Sequence, residues 1–87
     1  MWFVYILRCA DDSLYVGEAG DLERRLAKHS DGSASSFTAK RRPVRLVFSE
    51  AHATRASALK REQQLKRWTR AKKDALIADD LELLKRL

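Results

Sequence analysis

The sequence predicts an α+β domain: a small, mostly antiparallel three-stranded sheet flanked by helices, in the order ββαβααα. Three features predict it. Residues 2–9 and 14–16 are aromatic and β-branched runs on either side of an Asp-Asp-Ser turn, the pattern of a hairpin. A third run, from Pro43 to Ser49, carries apolar side chains at alternate positions. The remaining apolar residues recur at helical spacing behind Asp and Thr caps. With 87 residues the chain forms one domain over residues 1–87, burying about 60–65% of its unfolded surface. That leaves room for one core and one site.

Trp2 to Cys9 is the first strand and Leu14 to Val16 its return, joined by Ala10-Asp11-Asp12-Ser13. Cys9, at the strand's end, reads as a small core residue. Gly17 and Gly20 bracket a bend, and Asp21 caps a helix from Leu22 to His29. Ser30 to Arg42, with Gly, four Ser and the basic run Lys40-Arg41-Arg42, reads as a long mobile loop. Pro43 opens the third strand, where a missing N–H is tolerated; Val44, Leu46 and Phe48 give it one favoured core face. Thr54 caps a helix to about Trp68, a break follows at Thr69-Arg70, and the next helix holds Ala75, Leu76 and Ile77. Leu81-Glu82-Leu83-Leu84 reads as a last short helix packed on the core.

Apolar residues make up 45% of the chain and charged ones 34%, a soluble globular composition rather than a disordered one. Eighteen Lys and Arg against twelve Asp and Glu give +6 and a pI near 9.9, a balance that favours polyanions and salt-sensitive binding of nucleic acid. One cysteine excludes an internal disulfide and a Cys-based zinc site. No apolar run approaches a membrane span, and Met1-Trp2-Phe3-Val4 enters a strand without the basic region of a signal peptide. The expected location is the cytoplasm.

Helical geometry sorts the charged residues. Leu22 and Leu26 define the buried stripe of the first helix; Arg25 and His29 lie one turn apart at its edge, and Arg24 faces water. Arg25 can hold a phosphate through its planar fork, and His29 can exchange a proton near neutral pH. The plainer alternatives are an edge salt bridge and a surface imidazole. On the next long helix Glu62 falls within an apolar arc, between Leu59 and the pair Ala58 and Leu65. A carboxylate there must be paired or hold a cation, because an unpaired buried charge costs several kcal/mol; a divalent metal and a buried ion pair, with Arg25 for instance, both answer. Tyr5 and Tyr15 sit on strands where aromatic residues commonly pack, yet a buried phenol wants a partner, and beside Arg25 or a metal its phenolate becomes easier to reach. Gly17 lets backbone or substrate approach closely, or simply ends the strand. Lys40, Arg41, Arg42 and Lys66, with other cations of the second half, suit phosphates rather than base edges, which implies weak sequence selectivity. Phe37, in the loop, is the better candidate for stacking on a base, and Trp68 the better core residue.

Val4-Tyr5-Ile6-Leu7 and Leu14-Tyr15-Val16-Gly17 resemble the two halves of the signature of the GIY-YIG nuclease family. Asp21-Leu22-Glu23-Arg24-Arg25-Leu26 followed by His29 resembles the helix that bears the family's arginine; the segments from Arg41 to Glu50 and from Ala58 to Lys66 resemble its later blocks. The likeness spans essentially the whole chain and is closest to small stand-alone bacterial members, sometimes grouped with the nuclease module of nucleotide excision repair. It implies a metal-dependent DNA endonuclease, selective for structured or single-stranded DNA, using Mg²⁺ (with Mn²⁺ as a substitute) and no small-molecule cofactor. Glu62 would match the metal ligand, Arg25 the phosphate-binding arginine, and Tyr5 and Tyr15 the signature tyrosines, with Tyr5 as the base and His29 assisting proton transfer. The first motif lacks its Gly, Glu18 stands where the repair nucleases have a lysine, and Asp74 stands where some members have an Asn. The charge of Glu18 would weaken activity. Two other readings stay open: a non-catalytic nucleic-acid-binding module of the same fold, in repair or recombination, and a module that recruits a protein partner in repair.

Overall fold

The computed structural model describes residues 1–87. Strands β1 (Trp2–Arg8), β2 (Leu14–Ala19) and β3 (Arg45–His52) form one antiparallel sheet in the order β2-β1-β3. Val4, Tyr5, Ile6 and Leu7 of the central strand are all fully buried, as a strand covered on both faces requires. Alternation sends Val4 and Ile6 to one face, and Tyr5 and Leu7 to the other. The first pair packs with Val16, Ala58 and Leu65 under α3 (Arg55–Arg67) and α4 (Arg70–Ile77). The second packs with Ala19, Leu22 and Leu26 under α1 (Leu22–Asp31), beside which lies α2 (Ser36–Ala39). No helix is long and apolar enough to cross a membrane.

The order observed is therefore ββααβααα, and the extra helix lies in the segment read as a mobile loop. α1 continues to Asp31 and stops at Gly32, whose φ of 86° lets its N–H reach the carbonyls of His29 and Lys28. Ser35 then caps α2 by accepting from the Phe37 N–H at 3.1 Å. One turn of helix is too short to show a hydrophobic period. Arg42 clasps both helix ends, donating from Nε to the Ala39 carbonyl at 3.2 Å and from Nη1 to that of Ser30 at 3.3 Å.

β2 runs on to Ala19, so Gly17 lies within the strand opposite Tyr5 rather than at its end. β3 starts at Arg45 and has no single core face. Its ladder to β1 skips from Phe48, opposite Ile6, to Leu46, opposite Leu7. The bulge turns Val47 and Phe48 both toward the α3 side of the core, while Val44 packs near Tyr5 and Leu7. Leu46 is left 40% exposed. α5 (Leu81–Arg86) packs on α4 and buries no residue of its own, so the tail extends the helical layer rather than adding to the core.

α3 positions Glu62, and its start depends on Thr54, whose hydroxyl accepts from the Ser57 N–H at 3.1 Å. Thr54→Ala is expected to lower the unfolding free energy by about 1 kcal/mol, with Thr54→Ser close to wild type, as read by urea denaturation.

Candidate active site

Tyr5, Tyr15, Gly17 and His29 come together on the α1 side of the sheet. Tyr5 points from β1 toward α1 and its ring crosses over Gly17. A Cβ on Gly17 would stand 2.5 Å from Tyr5 Oη and 2.6 Å from Cζ, so only glycine admits the phenol there. Tyr15, on the same face of β2, brings its ring centroid to 6.4 Å from that of Tyr5. The His29 ring lies at 5.7 Å from Tyr5 and 5.1 Å from Tyr15, edge-on to both.

Tyr5 Oη meets His29 Nε2 at 2.8 Å, and His29 Nδ1 meets Thr38 Oγ1 at 2.8 Å. The Thr38 hydroxyl donates its one hydrogen to the Ser35 carbonyl at 3.3 Å, and that carbonyl can only accept. Thr38 Oγ1 must then accept from Nδ1–H, which leaves Nε2 as the lone-pair nitrogen that accepts from the Tyr5 hydroxyl. Tyr5, His29 and Thr38 are all fully buried. The surface imidazole considered for His29 is thus excluded; its place three residues after Leu26 puts it on the apolar stripe itself. Thr38 carried no signal in the sequence, being one hydroxyl residue in a Ser-rich stretch.

The phenolate of Tyr5 is harder to reach than expected, not easier. Burial, then the neighbouring Tyr15, push its pKa up to about 12, outweighing the charge and hydrogen-bonding of Arg25. Burial, and then the charge of Arg25, hold His29 below its ordinary value. The resting pair at neutral pH is neutral phenol and neutral imidazole.

Arg25 makes no salt bridge; its Nη1 donates to the backbone carbonyl of Glu18 at 3.4 Å, and its charge bears on both Tyr5 and His29. The Glu62 side chain is only 12% exposed and pairs with Lys66 Nζ at 3.6 Å, not with Arg25. Its charge also acts on the Tyr5 phenol. Glu18 lies on the opposite sheet face from Tyr15 and Gly17, where Oε1 meets Arg55 Nη2 at 3.6 Å and Oε2 has no partner. Lys66 joins Lys73, Tyr15 and Phe37 around a hollow of 210 Å³ at the β2 edge, and Lys73 is a cation that sequence reasoning did not single out for the site.

The remaining candidates are placed differently from the mobile-loop reading. Phe37 belongs to α2, with its ring 6.1 Å from Tyr15 and the Arg41 guanidinium 3.8 Å above it. Arg41 also donates to Asp11 Oδ2 at 3.1 Å and to the Phe37 carbonyl at 2.9 Å, so a base stacking on that face must displace it. Lys40 is exposed and unpaired. Arg42 holds the ends of α1 and α2 through Nε and Nη1, while its exposed guanidinium keeps Nη2 free.

No group of three or more His, Cys, Asp or Glu side chains gathers to form a metal cage. A lone, largely buried carboxylate fits an ion that takes one or two carboxylates and completes its shell with water and substrate phosphate, as Mg²⁺ typically does.

Residues 1–74 match the family model described as the GIY-YIG catalytic domain. The chain belongs to the GIY-YIG family. Among its GIY-YIG relatives it is similar to a UPF0213 protein of Staphylococcus aureus strain Mu3, with 48% identity over 77 residues, covering 88% of this chain and 94% of that protein. A UPF0213 protein of Staphylococcus saprophyticus is 46% identical over 77 residues, with the same coverage of 88% and 94%. The solution NMR structure of a UPF0213 protein from Bacillus halodurans matches with a TM-score of 0.59 and 38% identity, over 90% of this chain and 84% of that one. GIY-YIG is a nuclease family, and nuclease chemistry is the class of activity the domain implies.

The buried relay makes two outcomes testable. Thr38→Val leaves His29 Nδ1 unpaired and should cost about 1–3 kcal/mol of stability, with Thr38→Ser near wild type in denaturant titrations. His29 has a folded pKa below its unfolded 6.5, so the unfolded chain takes up the proton first. Its contribution to stability is fully present above pH 6.5 and is lost as pH falls toward the folded pKa. Comparing unfolding free energies at pH 7.5 and 5.5 should show this loss in wild type and a smaller one in His29→Gln.

Proposed function

We propose that the protein is a metal-dependent DNA endonuclease that hydrolyses phosphodiester bonds in structured or single-stranded DNA. The observation that carries this reading is the buried Tyr5–His29–Thr38 chain of hydrogen bonds, whose phenol crosses Gly17 and feels the charges of both Arg25 and Glu62. Glu62 would hold Mg²⁺, or Mn²⁺ in its place. When bound, the ion supplies polarisation of a non-bridging phosphate oxygen and stabilisation of the leaving oxygen.

The protein's own residues supply the proton path. Because Tyr5 ionises only near pH 12, a free phenolate is not the resting base at pH 7. Instead Tyr5 Oη accepts a proton from the attacking water while its own passes to His29 Nε2, and Thr38 holds Nδ1–H in place as the ring becomes charged. Tyr15 has no hydrogen-bonded acceptor for its proton, which is why Tyr5 is assigned the base and Tyr15 the orientation of water and phosphate. Arg25, without a carboxylate partner, offsets charge growing on the phosphorane. Lys66, Lys73, Lys40 and, once displaced from Phe37, Arg41 take neighbouring phosphates, which implies weak sequence selectivity.

The test is cleavage of labelled single strands, flaps, forks and duplexes in Mg²⁺ and Mn²⁺. Tyr5→Phe should lose about 10²-fold or more in rate, the span of general base catalysis, and Glu62→Ala should lose metal-dependent cleavage altogether. Glu62→Ala cleaving as well as wild type would remove the site assignment. The contact of Lys66 with Glu62 at 3.6 Å favours one other reading, a non-catalytic DNA-binding module whose carboxylate is already neutralised. Tight, salt-dependent binding with no cleavage of any substrate would select it.

A further inference from the structure

The largest cavity of the molecule is not at the candidate active site. It is an open hollow of 710 Å³ across α3 from Glu62, on the β3 side of the sheet. Its lining includes Lys60, Arg61, Gln63, Gln64, Arg67 and Trp68. Lys60, Gln63, Gln64 and Arg67 stand at spacings of three, four and seven, and so form one stripe on α3. Glu62 lies to one side of the buried Ala58–Leu65 line and Arg61 to the other.

The electrostatics of this hollow are one-signed. The acid beside it, Glu50, is taken up twice, accepting from His52 Nε2 at 2.7 Å and from Arg61 Nε at 3.2 Å. Arg61 also donates to Gln64 Oε1 at 2.6 Å and lies 5.2 Å from the Trp68 ring, with Lys72 Nζ 5.8 Å from the same ring. Lys60 and Arg67 have no carboxylate within salt-bridge range and are exposed. The arrangement is a fixed polar floor with two free cations about 10 Å apart along the helix axis and amide side chains between them. It suits a polyanionic backbone, where positioning by cations and amides needs no base contacts.

We infer that this outer face of α3 binds the sugar-phosphate backbone of a second arm of a branched DNA, while the opposite flank of the same helix presents Glu62 to the arm being cut. The inference rests on the reading of the protein as a DNA-processing enzyme and names its substrate class. One rigid helix carries both surfaces, so an arm held at Lys60 and Arg67 is set at a fixed distance, about one helix diameter, from the carboxylate. A branched substrate has a separate arm for each face, whereas a single strand has one chain to share between them.

The test is affinity, measured by fluorescence anisotropy in EDTA so that no cleavage intervenes, for a flap and for a single strand of equal length. For the double variant Lys60→Glu/Arg67→Glu, the ratio of flap to single-strand affinity should fall about tenfold or more, and the salt slope for the flap should drop by about two, one per phosphate contact. Circular dichroism and thermal unfolding check that the exposed substitutions leave the fold intact. An unchanged ratio, whether both affinities fall or neither does, overturns the inference. Cleavage by wild type and Glu62→Ala, run in parallel, tests the nuclease reading separately: a protein that cuts DNA but shows no change in the ratio refutes the second surface alone.

Discussion

The Tyr5–His29 hydrogen bond is the constraint around which the rest of the site is arranged. It joins the central strand to the first helix inside the core, so neither ring can move without unpacking Leu22 and Leu26. It also dictates the residue beneath it, because the phenol occupies the volume where Gly17 would otherwise carry a side chain. Finally it requires a third partner, since an imidazole with both nitrogens buried must satisfy both. Thr38 meets that need, and α2 exists as an ordered turn largely to bring it there, held by the Ser35 cap below and the Arg42 clasp above.

Much of this was legible in the sequence because it follows from strong local rules. The aromatic and β-branched run of β1, the Asp21 and Thr54 caps and the helical spacing of Leu22, Leu26, Ala58 and Leu65 place the main elements. Glu62 stands out for a physical reason, a carboxylate inside an apolar arc, and the structure leaves its side chain only partly exposed. What escaped were features that depend on neighbours distant in sequence. α2 is one turn long and has no period to read. The β3 bulge arises from pairing with β1, so alternation along β3 by itself misassigned Leu46. Thr38 differs from the serines around it only by what it touches. Arg42 looked like one more cation of a basic run, yet its carbonyl partners make it part of the scaffold.

Electrostatics explain why proximity of charge was a poor guide to the state of Tyr5. Arg25 does favour the phenolate, but a ring packed into the core loses more from desolvation than one guanidinium restores. The result is a buried pair that rests neutral, phenol against imidazole. Glu62 follows the same logic from the other direction, since Lys66 pairs with one oxygen of a carboxylate that is largely withdrawn from water.

The irregularity in β3 also bears on how the molecule behaves among copies of itself. A three-stranded sheet has two open borders, each offering unpaired peptide groups to any passing strand. On the β2 side that border is crowded by Phe37, Lys66 and Lys73. On the β3 side the skipped residue at Val47 breaks the even spacing of donors and acceptors that a recruited strand would need. Restoring a regular ladder there would tidy the sheet and expose the protein to self-association, so the distortion acts as a safeguard of solubility.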